Sequence, residues 1–207
     1  MKSKNLLIAA ALGLLAALAG CSSDRNFRIF TSEYAAVTDA GYKLPRVPIS
    51  QVPRKYHRQV VRLETEEKPG TIIVDTREKF LYLVMEDGRA MRYGIGVGRD
   101  GFGWSGVARV AMKREWPKWT PPSEMIKRQP ELAKWRGGMP PGLTNPLGPR
   151  ALYLFNKNGD TGYRLHGTPE WWSIGKAVSS GCIRLLNQDI IDLYERTKVG
   201  AKVIVKQ

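Results

Sequence analysis

The sequence predicts a mainly β domain with short helices, β-sandwich-like, over residues 69–207. Three observations carry that prediction. Runs dense in β-branched and aromatic residues begin at Pro69, with Thr71 to Asp75 and Phe80 to Met85 first. Glu86-Asp87-Gly88-Arg89 then supplies a hairpin turn. Helical spacing appears in only two short stretches.

The elements follow in order. Ala90 to Val97 is the hairpin partner of Phe80 to Met85. Val107 to Lys113, Ala151 to Phe155, Tyr163 to His166 and Lys202 to Val205 read as further strands. Ser123 to Leu132 follows Pro121-Pro122 and reads as a helix. A second helix, Asn187 to Thr197, has Asn187 as its N-cap, Ile190, Leu193, Tyr194 and Thr197 on one face, and Gly200 beyond its end. Between Trp104 and Trp172 lies a loop-rich region that holds all six tryptophans and includes Asn145-Pro146-Leu147-Gly148. Those aromatics either pack as core and lid or stack on sugars at the mouth of a site, since loops this long tend to be functional.

The N-terminus has a different character. Lys2 and Lys4 precede an uncharged apolar run, Leu6 to Ala19. Such a run falls short of the about 20 residues that span a bilayer but suits the core of an export signal over residues 1–20. It ends in Leu18-Ala19-Gly20-Cys21, which resembles the bacterial lipobox. The resemblance implies lipidation of Cys21 and cleavage before it, the other reading being an ordinary cysteine near a cleavage site. Each buried methylene of such an anchor contributes roughly 0.8 kcal/mol. Ser22 in the next position favours the outer membrane over retention, so the expected location is the cell envelope, facing the periplasm. Residues 21–68, with Pro45, Pro48 and Pro53 and a charged run from Arg54 to Lys68, read as a lipidated N-terminus and extended tether.

The net charge of +14 favours anionic polymers or lipid head groups, or else serves solubility. Nucleic acid is excluded as a partner by export and by the lack of a basic helix or aromatic RNA motif. No cofactor is expected. Gly96-Val97-Gly98-Arg99-Asp100-Gly101 matches the dinucleotide G-x-G-x-x-G pattern, but Phe102-Gly103-Trp104-Ser105-Gly106 follows it and opens no helix. A zinc site fails on supply, with two histidines and two cysteines in the chain, Cys21 committed to lipid and His57 in the tether.

What remains after Cys21 is assigned is one thiol, Cys182, and with it His166. In an exported chain a lone thiol reads as reactive rather than structural. Tyr163-Arg164-Leu165-His166-Gly167-Thr168, Ser173-Ile174-Gly175 and Ser179-Ser180-Gly181-Cys182-Ile183-Arg184-Leu185 together resemble the L,D-transpeptidase catalytic domain, also called YkuD. The likeness reaches back to Thr71-Ile72-Ile73-Val74-Asp75 and forward through Asp192-Leu193-Tyr194 to Gly200.

The resemblance implies an enzyme of peptidoglycan stem peptides. It takes an acyl group from the L-centre of a diamino acid, releases D-alanine, and passes the acyl group to an amine on another stem, to an envelope protein, or to water. It implies Cys182 as nucleophile, His166 as acid and base, and the Gly167 carbonyl as the group holding the imidazole. The backbone around Gly181 and Cys182 is expected to donate to the oxyanion, and Gly181 to leave room for substrate. Arg184 either binds a substrate carboxylate or stays in an ion pair. Many family members have histidine where this chain has Ser180, which changes the setting of thiol ionisation and leaves the reaction class untouched. Hydrolysis by the same chemistry, and a wall-binding lipoprotein without catalysis, are the two rival functions.

Overall fold

The computed structural model describes residues 31–99, 103–179 and 181–207. The export signal, Cys21, Ser22, Ser180, and Asp100 and Gly101 of the glycine-rich stretch lie outside the described residues.

The chain enters through a short ribbon, β1 (Val37–Asp39) and β2 (Tyr42–Leu44), and reaches the main sheet at β3 (Gln59–Arg62). Then come β4 (Ile72–Asp75), β5 (Phe80–Val84), β6 (Arg89–Gly94) and the two-residue β7 (Val97–Gly98). The turn between β5 and β6 has positive φ at both Asp87 (60°) and Gly88 (63°). That geometry matches the right-handed twist of the flanking strands and is why Asp-Gly marks hairpins. After β8 (Gly106–Glu115) a long loop carries α1 (Ser123–Arg128), and β9 (Arg150–Asn156) and β10 (Gly159–Thr168) form a further hairpin. The chain finishes with β11 (Ala177–Ser179), β12 (Ile183–Leu186), α2 (Asn187–Arg196) and β13 (Lys202–Lys206).

Among the described residues, nine strands form one mixed sheet in the order β12-β10-β9-β8-β13-β4-β5-β6-β3. It is parallel at β10–β12 and β4–β13 and antiparallel elsewhere. The sheet curls on itself. Gly96 and Arg184 exchange two backbone hydrogen bonds of 2.9 and 2.8 Å, joining the segment after β6 to the far edge strand β12. The enclosed core draws Ile72 and Val74 from β4, Leu81 from β5, Leu152 and Leu154 from β9, Leu165 from β10, Leu185 from β12, and Ile190 and Leu193 from α2. The sandwich-like β class is therefore what the chain adopts.

Three expectations are corrected. Residues read as a tether fold onto the sheet from residue 34 onward: Tyr34, Val47, Ile49, Val52 and Tyr56 are buried in a second apolar cluster with Ile174 and Leu186. Each such side chain contributes roughly 1.5–3 kcal/mol on burial, enough to hold the segment in place. Charge anchors it as well, since the almost buried Arg58 reaches Glu33 (2.8 Å), Asp192 (3.2 Å) and Asp189 (3.9 Å), the last two on α2. His57 is likewise no free imidazole, its Nε2 lying 2.8 Å from the Val52 carbonyl. Second, α1 stops at Arg128 and a 3₁₀ turn, Pro130–Trp135, replaces its expected end. Pro130 has no N–H to continue the helix and pushes Gln129 out of the helical region (φ −135°, ψ 79°). Third, Leu186 occupies the cap position of α2 and Asn187 is its first helical residue, so Asn187 provides no cap.

Candidate active site

The parallel pairing of β10 with β12 places His166 and Cys182 on neighbouring stretches of chain. Their register sets Leu165 opposite Ile183 and His166 opposite Arg184. Side chains alternate along a strand, so Leu165, Ile183 and Leu185 point into the core. Arg164, His166, Cys182 and Arg184 share the other face. Cys182 lies just before β12, two residues ahead of Arg184, the register partner of His166.

The imidazole is fixed by backbone. His166 Nδ1 lies 2.6 Å from the Gly167 carbonyl oxygen. A carbonyl only accepts, so Nδ1 carries the proton and Nε2 is the basic nitrogen. Gly167 has to be glycine: a Cβ there would lie 2.5 Å from Asn187 Oδ1 and 2.9 Å from Pro149 Cδ. The Pro146 carbonyl also lies near the ring and, with that of Gly167, favours the protonated form. Burial outweighs both. His166 is 4% exposed, and desolvation, assisted by the cations of Arg184 and Arg164, lowers its pKa from 6.5 to about 4.

The thiol is pushed the other way. Burial raises the Cys182 pKa, opposed by the Arg164 backbone N–H and by the charges of Arg164 and Arg184. The resting pair at neutral pH is therefore an uncharged thiol beside an uncharged imidazole. Such a pair needs proton transfer in step with attack, which is general-base catalysis.

Ser179 shapes the turn that presents the nucleophile. Its Oγ donates to the Cys182 carbonyl (2.7 Å) and accepts from the Gly181 amide (3.2 Å). Gly181 itself is buried with φ +126°, a conformation that side chains rarely adopt, so the expectation of glycine here has a backbone reason as well as a steric one. One expectation shifts: the Gly181 amide is already engaged by Ser179 rather than open to an oxyanion. Of the two roles left open for Arg184, the ion pair is present, with Nη1 2.6 Å from Glu170 Oε2. Arg164 is likewise paired with Asp160 at 2.7 Å.

Three contributors went unread in the sequence: Ser179, Arg164 and the loop around Pro146. The fully buried Asn145 holds that loop, donating to the carbonyls of Pro117 (3.1 Å) and Pro140 (3.0 Å) and accepting from Leu147 N (2.9 Å). The signal was an Asn-Pro turn and a serine two residues before a glycine, both marks of side chains that bond local backbone. The tryptophans divide. Trp116 is buried, stacks on Tyr42 and donates to Asp39, while Trp172 is 54% exposed.

A family model described as the L,D-transpeptidase catalytic domain, YkuD, matches residues 69–205. The chain belongs to the L,D-transpeptidase catalytic-domain family. The probable L,D-transpeptidase ErfK/SrfK of Escherichia coli K12 is 36% identical over 141 residues, 64% of this chain and 42% of that protein. The probable L,D-transpeptidase YbiS of the same strain is 31% identical over 145 residues, 65% of this chain and 43% of its own length. This chain thus spans less than half the length of either relative. A crystal structure described as a probable carnitine operon oxidoreductase caia from Brucella melitensis has a TM-score of 0.52 at 46% identity, covering 75% of this chain and 96% of that one. Its name speaks of a different chemistry from the other two. Within the glycine-rich stretch, Val97–Gly98 is strand β7, paired parallel with β11.

Proposed function

We propose that this chain is a peptidoglycan L,D-transpeptidase that works through a Cys182 acyl-enzyme. The observation that carries the reading is the commitment of His166 Nδ1–H to Gly167, which leaves Nε2 as a base on the face shared with the thiol. In the first half-reaction Nε2 takes the Cys182 proton as sulfur bonds to the stem-peptide carbonyl carbon. The carbonyls of Gly167 and Pro146 stabilise the imidazolium that forms. The imidazolium returns the proton to the amine of D-alanine as the C–N bond breaks, leaving a thioester. In the second half an acceptor amine attacks the thioester, His166 takes its proton, and the thiol is restored. Proton transfer of this kind typically contributes about 10²–10⁴-fold.

The cellular setting belongs to the same proposal. Lipid on Cys21 anchors the enzyme in the envelope, Ser22 directs it to the outer membrane, and the domain faces the periplasm. The acceptor amine sits on a neighbouring stem or on an envelope protein. The test is incubation of the full chain with disaccharide-tetrapeptide fragments, analysed by mass spectrometry beside Cys182→Ala. A crosslinked dimer lighter by one D-alanine than two donors, absent from the variant, is expected. Free D-alanine without a dimer would move the assignment to hydrolysis. Palmitate labelling lost in Cys21→Ala, followed by membrane fractionation, tests the anchor.

A further inference from the structure

A cleft of about 400 Å³ opens beside the nucleophile's turn and has Gly181 in its lining. A volume in this range accommodates a ligand fragment rather than a single water. Its apolar wall is Trp104 stacked on Tyr163, ring centroids 5.6 Å apart. Its polar lining is strongly one-signed. Arg77, Lys79 and Arg99 all border it, and among the described residues no aspartate or glutamate does.

Arg77 and Lys79 occupy the turn between β4 and β5, and that turn is built rather than loose. Asp75 Oδ1 accepts from the Glu78 amide at 2.8 Å. Thr76 donates through both its amide (3.0 Å) and its hydroxyl (2.9 Å) to the Lys206 carbonyl. Lys79, in left-handed backbone at φ +62°, has its own carbonyl held by the Ile95 amide at 3.1 Å and donates its Nζ to the Arg77 carbonyl at 3.1 Å. Glu78, the acid between the two cations, does not line the cleft. Among the described residues Arg77 enters no ion pair within the chain. Its guanidinium therefore keeps the two-pronged donor face that suits a carboxylate.

We propose that this cleft is a recognition site for a carboxylate of the peptide substrate, gripped by Arg77 and Lys79 within a residue or two of the bond that Cys182 attacks. The proposal rests on the acyl-transfer reading of the site. The placement follows from adjacency: Gly181, in the cleft's lining, immediately precedes Cys182, and Tyr163 of the apolar wall lies near enough to Cys182 to interact with it electrostatically, while each residue of extended peptide spans about 3.5 Å. Two carboxylates fit this chemistry, the C-terminal one of the departing residue and one on a side chain of the acyl donor.

The test separates them and separates the proposal from the reaction. In a Cys182→Ala background, the affinity of the full chain for a tetrapeptide donor is measured with and without Arg77→Gln/Lys79→Gln. The double variant is expected to bind the free donor about tenfold more weakly, the scale of one lost charge-assisted contact, with Arg77→Lys recovering part of it. Donors amidated at the C-terminus or at the side-chain carboxylate are compared in turn. The amidation that weakens binding to the parent and abolishes the difference between parent and variant identifies the occupant. Equal affinity of parent and double variant for the free donor, or a difference that survives both amidations, overturns the proposal. Binding needs no turnover. Failure of the acyl-transfer reading therefore appears separately, as absent turnover in the active chain, where the same variant is expected to raise KM rather than lower kcat.

Discussion

Ser179 Oγ donates to the carbonyl of Cys182 at 2.7 Å while accepting the amide of Gly181 at 3.2 Å, so one hydroxyl closes the backbone turn that holds the nucleophile. The side chain is buried, and removing its hydroxyl strips both backbone groups of this partner. Ser179→Ala is expected to cost about 1–3 kcal/mol of stability, the penalty for unsatisfied buried polar groups. It is also expected to lower kcat by one to two orders of magnitude, because the thiol loses its aim (about 1.4 kcal/mol per factor of ten). Thermal melts and steady-state kinetics on the same preparation check both.

The acid limb of activity should lie unusually low. His166 works as a base only when neutral, and burial lowers its pKa to about 4. The pH profile of kcat/KM should therefore hold as pH falls through 6 and break near 4. A break at 6.5 would mean that the imidazole is solvated in the working enzyme. The same shift sets a stability slope. The folded-state pKa lies below the unfolded value of about 6.5, so the contribution is complete above 6.5 and is lost as pH falls through about 4. His166→Gln should flatten that slope in denaturant melts. Asp189, whose carboxyl burial raises to about 7, acts in the opposite sense, its contribution fading as pH rises through that value. The difference between parent and variant isolates the histidine.

Asn145→Ala should act on catalysis from a distance. The side chain ties four backbone groups of the long loop, and the carbonyl of the next residue, Pro146, lies near His166. Without that carbonyl the protonated imidazole loses a partner, so the His166 pKa should fall further below 4. NMR titration of the imidazole reads this directly, and a purely structural role for Asn145 would leave it unmoved.

The N-terminal segment should prove inseparable from the domain. Tyr56 sits against Gly94 and Gly175, where any Cβ would collide with it. Tyr56→Ala should cost about 3–5 kcal/mol, the usual range for a buried aromatic. Chemical denaturation of the full chain measures it, and a cost below about 1 kcal/mol would restore the spacer reading.

That segment also shows where the sequence was hard to read. Its buried residues, Tyr34, Val47, Ile49, Val52 and Tyr56, follow neither a helical nor a strand period, because they hang on short 3₁₀ turns and the irregular stretches beside them. Their burial is decided by surface that β6 and the stretch after β10 provide, which no local pattern displays. Elements whose signal is local were legible: Asp87-Gly88 named its own hairpin, and Ile190, Leu193 and Tyr194 marked the inner face of α2. At the site, the reactive pair was legible because scarcity singled out Cys182 and His166. Ser179, Arg164 and Pro146 contribute through a hydroxyl, an amide and a carbonyl that many residues share, so their identity carried little information without register.

The most direct test of the account is intact-mass spectrometry of the full chain quenched in acid during turnover of a tetrapeptide donor, followed by peptide mapping. An adduct equal to the donor minus D-alanine is expected, attached as a thioester to Cys182, released by an amine acceptor and absent from Cys182→Ala. Crosslinked product formed at an undiminished rate by Cys182→Ala would contradict it.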